Sequence, residues 1–219
     1  MILAEFESAN DTAQTSVDLE ILALARWPES VQDHGASLTQ IPGFVQSAFN
    51  PLVAAVAKRC LERCTERVPR CTALVLASAS GDVATARELA DAVHTGRRVA
   101  PLLFFQSNPN AVLGHVASRH GLDGPVVCLG PTPGDADPRD RALVEAELLL
   151  LDDAADAVLV LLVEQGPDAA PDADRAEALL LRPRRPVEST DSTTSTSTAT
   201  STTSTPTAGE PRAPGEEAP

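Results

Sequence analysis

The sequence predicts an α/β domain in which helices are layered on a largely parallel central sheet. Three observations predict it. Thr72 to Ser78 (TALVLAS) and Ala157 to Glu164 (AVLVLLVE) are apolar without alternation, as expected of strands covered on both faces. Two Asn-Pro pairs, Asn50-Pro51 and Asn108-Pro109, each open a run with apolar residues at helical spacing. Strands and helices then alternate along most of the chain, the order that βαβ units produce.

Taken in order, Val17 to Trp27 (VDLEILALARW) begins with alternation and becomes continuously apolar, which suits a strand. Pro28 to Gly43 is loop-like, punctuated by Pro28, Gly35, Pro42 and Gly43. Asn50 is expected as the cap of the first helix and Pro51 as its first residue, with Val53, Val56, Cys60 and Cys64 on one face. After the strand at Thr72, Ser80-Gly81-Asp82 turns the chain into a second helix. Ala86, Leu89, Ala90 and Val93 are expected inward there. Pro101 onward reads as a loop leading to the helix after Asn108-Pro109, which places Leu113, Val116, Ala117 and His120 on one side and ends at Gly121. Val126 to Leu129 is a short buried strand, Pro131 to Pro138 a loop, and Arg139 to Leu151 a helix apolar enough to be mostly buried. The strand at Ala157 follows, then one more at Glu177 to Leu181.

The chain has 219 residues, and its two ends do not read as core. Residues 1–17 are polar and expected to be loose. From Glu188 onward there is no aromatic and no large aliphatic residue, so residues 187–219 are expected to form a disordered Ser/Thr/Pro-rich tail. Residues 18–186 are left as one domain. The net charge of −14 and pI near 4.6 argue against a nucleic-acid partner. The one compact basic cluster, Arg182, Arg184 and Arg185, reads as a solvated terminus. The start MILAEFESANDTAQTS has neither a basic nor an apolar signal region. The apolar run at Leu148 to Val163 is broken by Asp152, Asp153 and Asp156. No membrane segment is therefore expected. A cytoplasmic location with four reduced cysteines is.

The chemistry-bearing residues are sparse. Cys60, Cys64 and Cys71 lack the paired spacing of a zinc site, and helical Cys60 and Cys64 read as packing residues. His115 and His120 stand five apart on one helix and are not expected to share a face, and no metal motif is present. No cofactor is expected. Ser80-Gly81-Asp82 lacks the spacing of a phosphate loop and reads as a helix cap at Asp82. The acidic residues Glu145, Glu147, Asp152, Asp153 and Asp156 read as a solvated face.

One resemblance adds to this. A strand followed by a Gly-Asp turn and a helix is succeeded by PLLFF, by NPNAVLGHVA, and by the turn Gly121-Leu122-Asp123-Gly124-Pro125. Ala154 to Val163 (AADAVLVLLV) closes the series. Thr72 to Val163 resembles the N-terminal half of β-ketoacyl synthases, and the first seventy residues match loosely. The resemblance implies a thiolase-like half-domain at residues 18–186. The family activity it implies is that of a 3-oxoacyl-[acyl-carrier-protein] synthase, an acyltransferase. Active members place a Cys at the turn before the buried helix. The matching segment here, Pro131-Thr132-Pro133-Gly134-Asp135-Ala136, has none. The family's two catalytic histidines come from a C-terminal half not expected in this chain.

The resulting expectation is a non-catalytic ketosynthase-like accessory protein of fatty-acid or polyketide-type biosynthesis. It would pair with itself or with a ketosynthase through the Arg139–Leu151 helix, with acyl carrier protein as a further partner. Phe104, Phe105, Asn108 and Asn110 are the expected partner or acyl-pocket surface, with core packing as the alternative for the two Phe. A second reading is an acyltransferase or thioester hydrolase using Cys128, with His115 or His120 as base. A third is a stand-alone interaction module that recruits through its tail.

Overall fold

A computed structural model describes residues 17–34, 36–44, 47–130, 137–166 and 173–184. The tail at 187–219, Arg185, the 131–136 turn and all but Val17 of the N-terminal stretch lie outside them. Five strands make one sheet: β1 (Leu19–Trp27), β2 (Thr72–Ala77), β3 (Val126–Leu129), β4 (Ala157–Glu164) and β5 (Arg175–Pro183). Five helices accompany them: α1 (Phe49–Arg63), α2 (Val83–Thr95), α3 (Pro101–Gln106), α4 (Asn110–His120) and α5 (Pro138–Leu151).

The spatial order is β1-β5-β4-β2-β3. β2 pairs parallel with both β3 and β4, while β5 runs antiparallel to both β4 and β1. The sheet is therefore mixed, which corrects the expectation of a largely parallel one. The cause is the link from β4 to β5. It spans only residues 165–174, and a parallel neighbour needs a crossover of a dozen or more residues. β5 must return alongside β4 and becomes the one reversed strand.

Side chains alternate between the two faces, as the pleat requires. Leu74, Leu76, Leu159, Leu161 and Leu180 enter one core with Leu52, Val53 and Val56 of α1 and Leu113 and Val116 of α4. Ala73, Val75, Val158, Val160 and Leu179 enter the other with Ala142, Ala146 and Leu150 of α5. The molecule is thus layered as α1 and α4, sheet, α5. This explains why β2 and β4 read as unbroken apolar runs. Each fully buried Leu or Val in them contributes roughly 1.5–3 kcal/mol.

Local signals fix the turns. Gly96 and Gly121 end α2 and α4 in the left-handed region, with φ of 63° and 68°. Gly124 is required for a different reason: a Cβ there would lie 2.5 Å from the carbonyl carbon of Thr72, so β3 can enter beside β2 only with glycine. Asp137 accepts from the Arg139 amide and Pro138 starts α5. Asn108 Oδ1 accepts from the Asn110 amide at 3.0 Å, but α4 begins at Asn110 with Pro109 at the cap position, one residue later than expected. α1 differs, because it begins at Phe49 under the hydroxyl of Ser47 and leaves Asn50 inside its first turn.

Four further expectations change. Pro101–Gln106 is a short helix rather than a loop. α2 turns Thr85, Leu89 and Ala92 inward and leaves Ala86, Ala90 and Val93 exposed. β3 is an edge strand and is only half-buried. α5 buries one stripe rather than most of its surface. Of the basic cluster, Arg182 is committed to Glu20 at 3.1 Å and Glu66 at 2.5 Å, and Arg184 to Asp18 at 2.8 Å.

Candidate functional site

In open α/β sheets the C-terminal ends of parallel strands face the crevice where ligands bind. Here the ends of β2 and β3, with the starts of α1 and α2, enclose a cavity of about 380 Å³. Phe49, Leu76 and Leu89 supply apolar wall, and Ser78, Asp82 and Cys128 supply polar groups.

Asp82 organises one side. Its carboxylate accepts from Ser47 Oγ at 2.7 Å, Thr85 Oγ1 at 2.8 Å and the Thr85 amide at 3.0 Å. Asn50 Nδ2 stands at 3.4 Å, and Gln106 Nε2 donates to Thr85 Oγ1 at 3.3 Å. This network pulls Thr85 into the interior and sets the rotation of α2. Helical periodicity alone could not report it, since the cause is a polar contact from α1. Asn50 is buried, and its Oδ1 has no partner among the described residues.

The Ser80-Gly81-Asp82 turn does gather backbone N–H groups, but the protein fills it. Glu164 accepts from the amides of Ala79 and Ser80 and from Ser80 Oγ, and Gln165 Oε1 accepts from the Val83 amide at 3.0 Å. The turn therefore fastens the end of β2 to that of β4.

Cys128 lies on β3 with its thiol 2.9 Å from Asn110 Oδ1, to which it donates. Burial pushes the thiol pKa up to about 11. That holds sulfur protonated at neutral pH, the reverse of what a nucleophile needs. His115 and His120 line a different groove, between α1 and α4, so neither completes a dyad across this cavity. Both do line that one groove, contrary to the expectation from their spacing. The buried Cys60 thiol, 3.5 Å from the Ala23 carbonyl, is pushed up to about 12. Among the described residues, no three His, Cys, Asp or Glu side chains gather as a metal site would require.

The other expected residues separate into two groups. Asn110 opens α4 and accepts from the Cys128 thiol, while Asn108, two residues earlier, accepts from the Asn110 amide. Phe104 and Phe105 stand on α3, 67% and 68% exposed, edge to face at 6.4 Å. Neither packs in the core. The helix expected to carry pairing offers a third surface. α5 exposes Val144, Leu148 and Leu151, spaced i, i+4 and i+7 on the side away from the sheet, with Val144 57% and Leu148 49% accessible.

Comparison with known proteins agrees with this architecture. Residues 26–211 match the family described as beta-ketoacyl synthase, N-terminal domain. The chain belongs to that family. No curated protein sequence matches it. Among solved structures it is similar to the ketosynthase ApeO in complex with its chain length factor ApeC from Xenorhabdus doucetiae. The TM-score is 0.56 at 17% identity, covering 77% of this chain and 79% of that one. It is also similar to the ishigamide ketosynthase/chain length factor, with a TM-score of 0.54 at 17% identity, covering 70% of this chain and 47% of that one. At such identity the likeness shows the thiolase-like fold. The chain spans about half the length of the second relative. Among the described residues, no helix is long and apolar enough to cross a membrane.

Proposed function

We propose that this protein is a non-catalytic ketosynthase-like subunit of cytoplasmic fatty-acid or polyketide-type biosynthesis. It pairs with itself or with a ketosynthase-like chain across α5. The observation that carries this is the outward stripe of Val144, Leu148 and Leu151 on a helix already packed against the sheet. Covering three half-exposed aliphatic side chains contributes on the order of 3 kcal/mol before association costs. Two solved relatives are themselves described as ketosynthase with chain length factor, which supports a pairing role. The protonated thiol of Cys128 and a 131–136 segment without cysteine support a role without chemistry of its own. Acyl carrier protein is the partner such a pair would serve. Phe104, Phe105, Asn108 and Asn110 are the surface we assign to partner or acyl contact.

The test is the mass of the full chain in solution, alone and mixed with a ketosynthase, over a wide concentration range. Dimer or heterodimer is expected, and Leu148→Glu should abolish it while the fold is kept. A strict monomer that also ignores the ketosynthase would refute the reading. A second reading has one observation in its favour, since Cys128 faces a cavity at the strand ends. It requires a covalent acyl adduct on Cys128 after incubation with an acyl thioester.

A further inference from the structure

On the layer opposite α5, a groove of about 920 Å³ runs between α1, α4 and the 39–42 segment. The chain carries a net charge of −14, yet this groove collects cations. α1 contributes Lys58, Arg59 and Glu62, and α4 contributes His115, Arg119 and His120. Lys58 is the sole lysine of the sequence, and two of the four histidines are here.

The charges are not all free to act. Arg59 is held by Asp33 at 3.0 Å and stacks over the Trp27 ring at 4.9 Å. Lys58 and Glu62 are 3.7 Å apart and well exposed, a pair that contributes little. Arg119 makes no hydrogen bond or ion pair with any described residue. His115 sits edge-on to Phe44 at 6.2 Å. Around these groups Ile41, Pro51 and Val116 give an apolar wall.

We propose that this groove binds a phosphate-bearing small molecule, with Arg119 as its principal contact and Lys58, His115 and His120 around it. A guanidinium fork matches phosphate oxygens in pairs, and a lysine serves the same anion as a point charge. A single carboxylate would be satisfied by Arg119 alone. A multiply charged phosphate makes use of the additional cation and of imidazoles able to take up protons. The apolar wall suits the organic portion of such a ligand.

Binding and imidazole protonation must be linked. His120 titrates below the ordinary histidine value, first because it is partly buried and next because Arg119 is beside it. His115 and Lys58 act in the same direction, and Glu62 opposes them. An anion at Arg119 cancels the repulsion and raises the His120 pKa.

The experiment uses the full chain and inorganic pyrophosphate as probe, followed by calorimetry at low salt and by NMR titration of the His120 ring. Saturable binding is expected, with Arg119→Gln weakening it about tenfold and Lys58→Gln less. Arg98→Gln, on the α2–α3 link, is the charge-matched control and should change little. The His120 pKa should rise when pyrophosphate is added to the unmutated protein, a readout independent of how any variant folds. No saturable binding, equal effects of Arg119→Gln and Arg98→Gln, or an unmoved His120 would each overturn the proposal. Pairing across α5 lies on the other face, and its outcome is read separately from this one.

Discussion

Cys60 and Cys128 differ in place and share one consequence. Cys60 lies between α1 and β1 and Cys128 on an edge strand, and both are held neutral by burial, near 12 and 11. An unfolded cysteine titrates near 8.5. Both folded values are raised, so the protonated thiols favour the folded state. That stability is fully present below about pH 8.5 and is lost as pH rises through 11 and 12. The sequence makes the effect measurable, since it has no tyrosine and only Lys58 among lysines. The melting temperature should fall between pH 8.5 and 11. A Cys60→Ala, Cys128→Ala double variant should start lower but fall less steeply, and parallel curves for the two proteins would rule the mechanism out. The same thiol makes a kinetic prediction. Carbamidomethylation of Cys128 by iodoacetamide should be slow at pH 8 and still accelerating at pH 10. A rate already level below pH 8 would mean an activated thiolate and would favour the enzymatic reading.

At the level of elements, the apolar runs in β2 and β4 were legible because both faces are covered and no alternation is left to confuse. The glycine stops were legible because they act through local backbone geometry, whereas the Asn-Pro pairs marked each helix start only approximately, α1 opening at Phe49 and α4 at Asn110. What was hidden is set by distant partners. The rotation of α2 follows from Asp82 and Thr85 meeting Ser47 and Asn50, residues more than thirty positions away. The cavity beside them draws on residues from Phe49 to Gly130, a convergence with no signature in sequence. The reach of α5 into solvent was hidden for another reason, since an apolar helix reads alike whether its second face is covered or not. Gly124 allows a sharp test of the β2–β3 junction. Gly124→Ala drives a methyl into the Thr72 backbone and should cost about 2 kcal/mol or more, seen in denaturant unfolding. Gly130→Ala, with no described atom within 4 Å of its added Cβ, should stay close to the unmutated protein. Equal loss in both would show that the junction tolerates a side chain.

For the whole molecule, the decisive strand is the reversed one. β5 is last among the described elements, yet it lies inside the sheet, hydrogen-bonded to β1 on one side and β4 on the other. β1 therefore touches the rest of the sheet only through β5. The two cores also depend on it, because Ala176, Ala178 and Leu180 fill the α1 face while Leu179 and Leu181 fill the α5 face. Salt bridges from Arg182 to Glu20 and Glu66 and from Glu177 to Arg26 tie the same strand to its neighbours at the surface. A chain ending at Gly166 should consequently lose more than one strand. It leaves β4 with an open apolar edge, strands β1, and exposes both cores, so it should be unfolded or aggregated by circular dichroism and sedimentation. A chain ending at Arg184 keeps every described pairing and should melt within about 3 °C of the full-length protein. Cooperative unfolding of the Gly166-terminated chain near the full-length temperature would mean that β1 and β4 find each other without β5, and the central place of β5 would then not be what holds the sheet together.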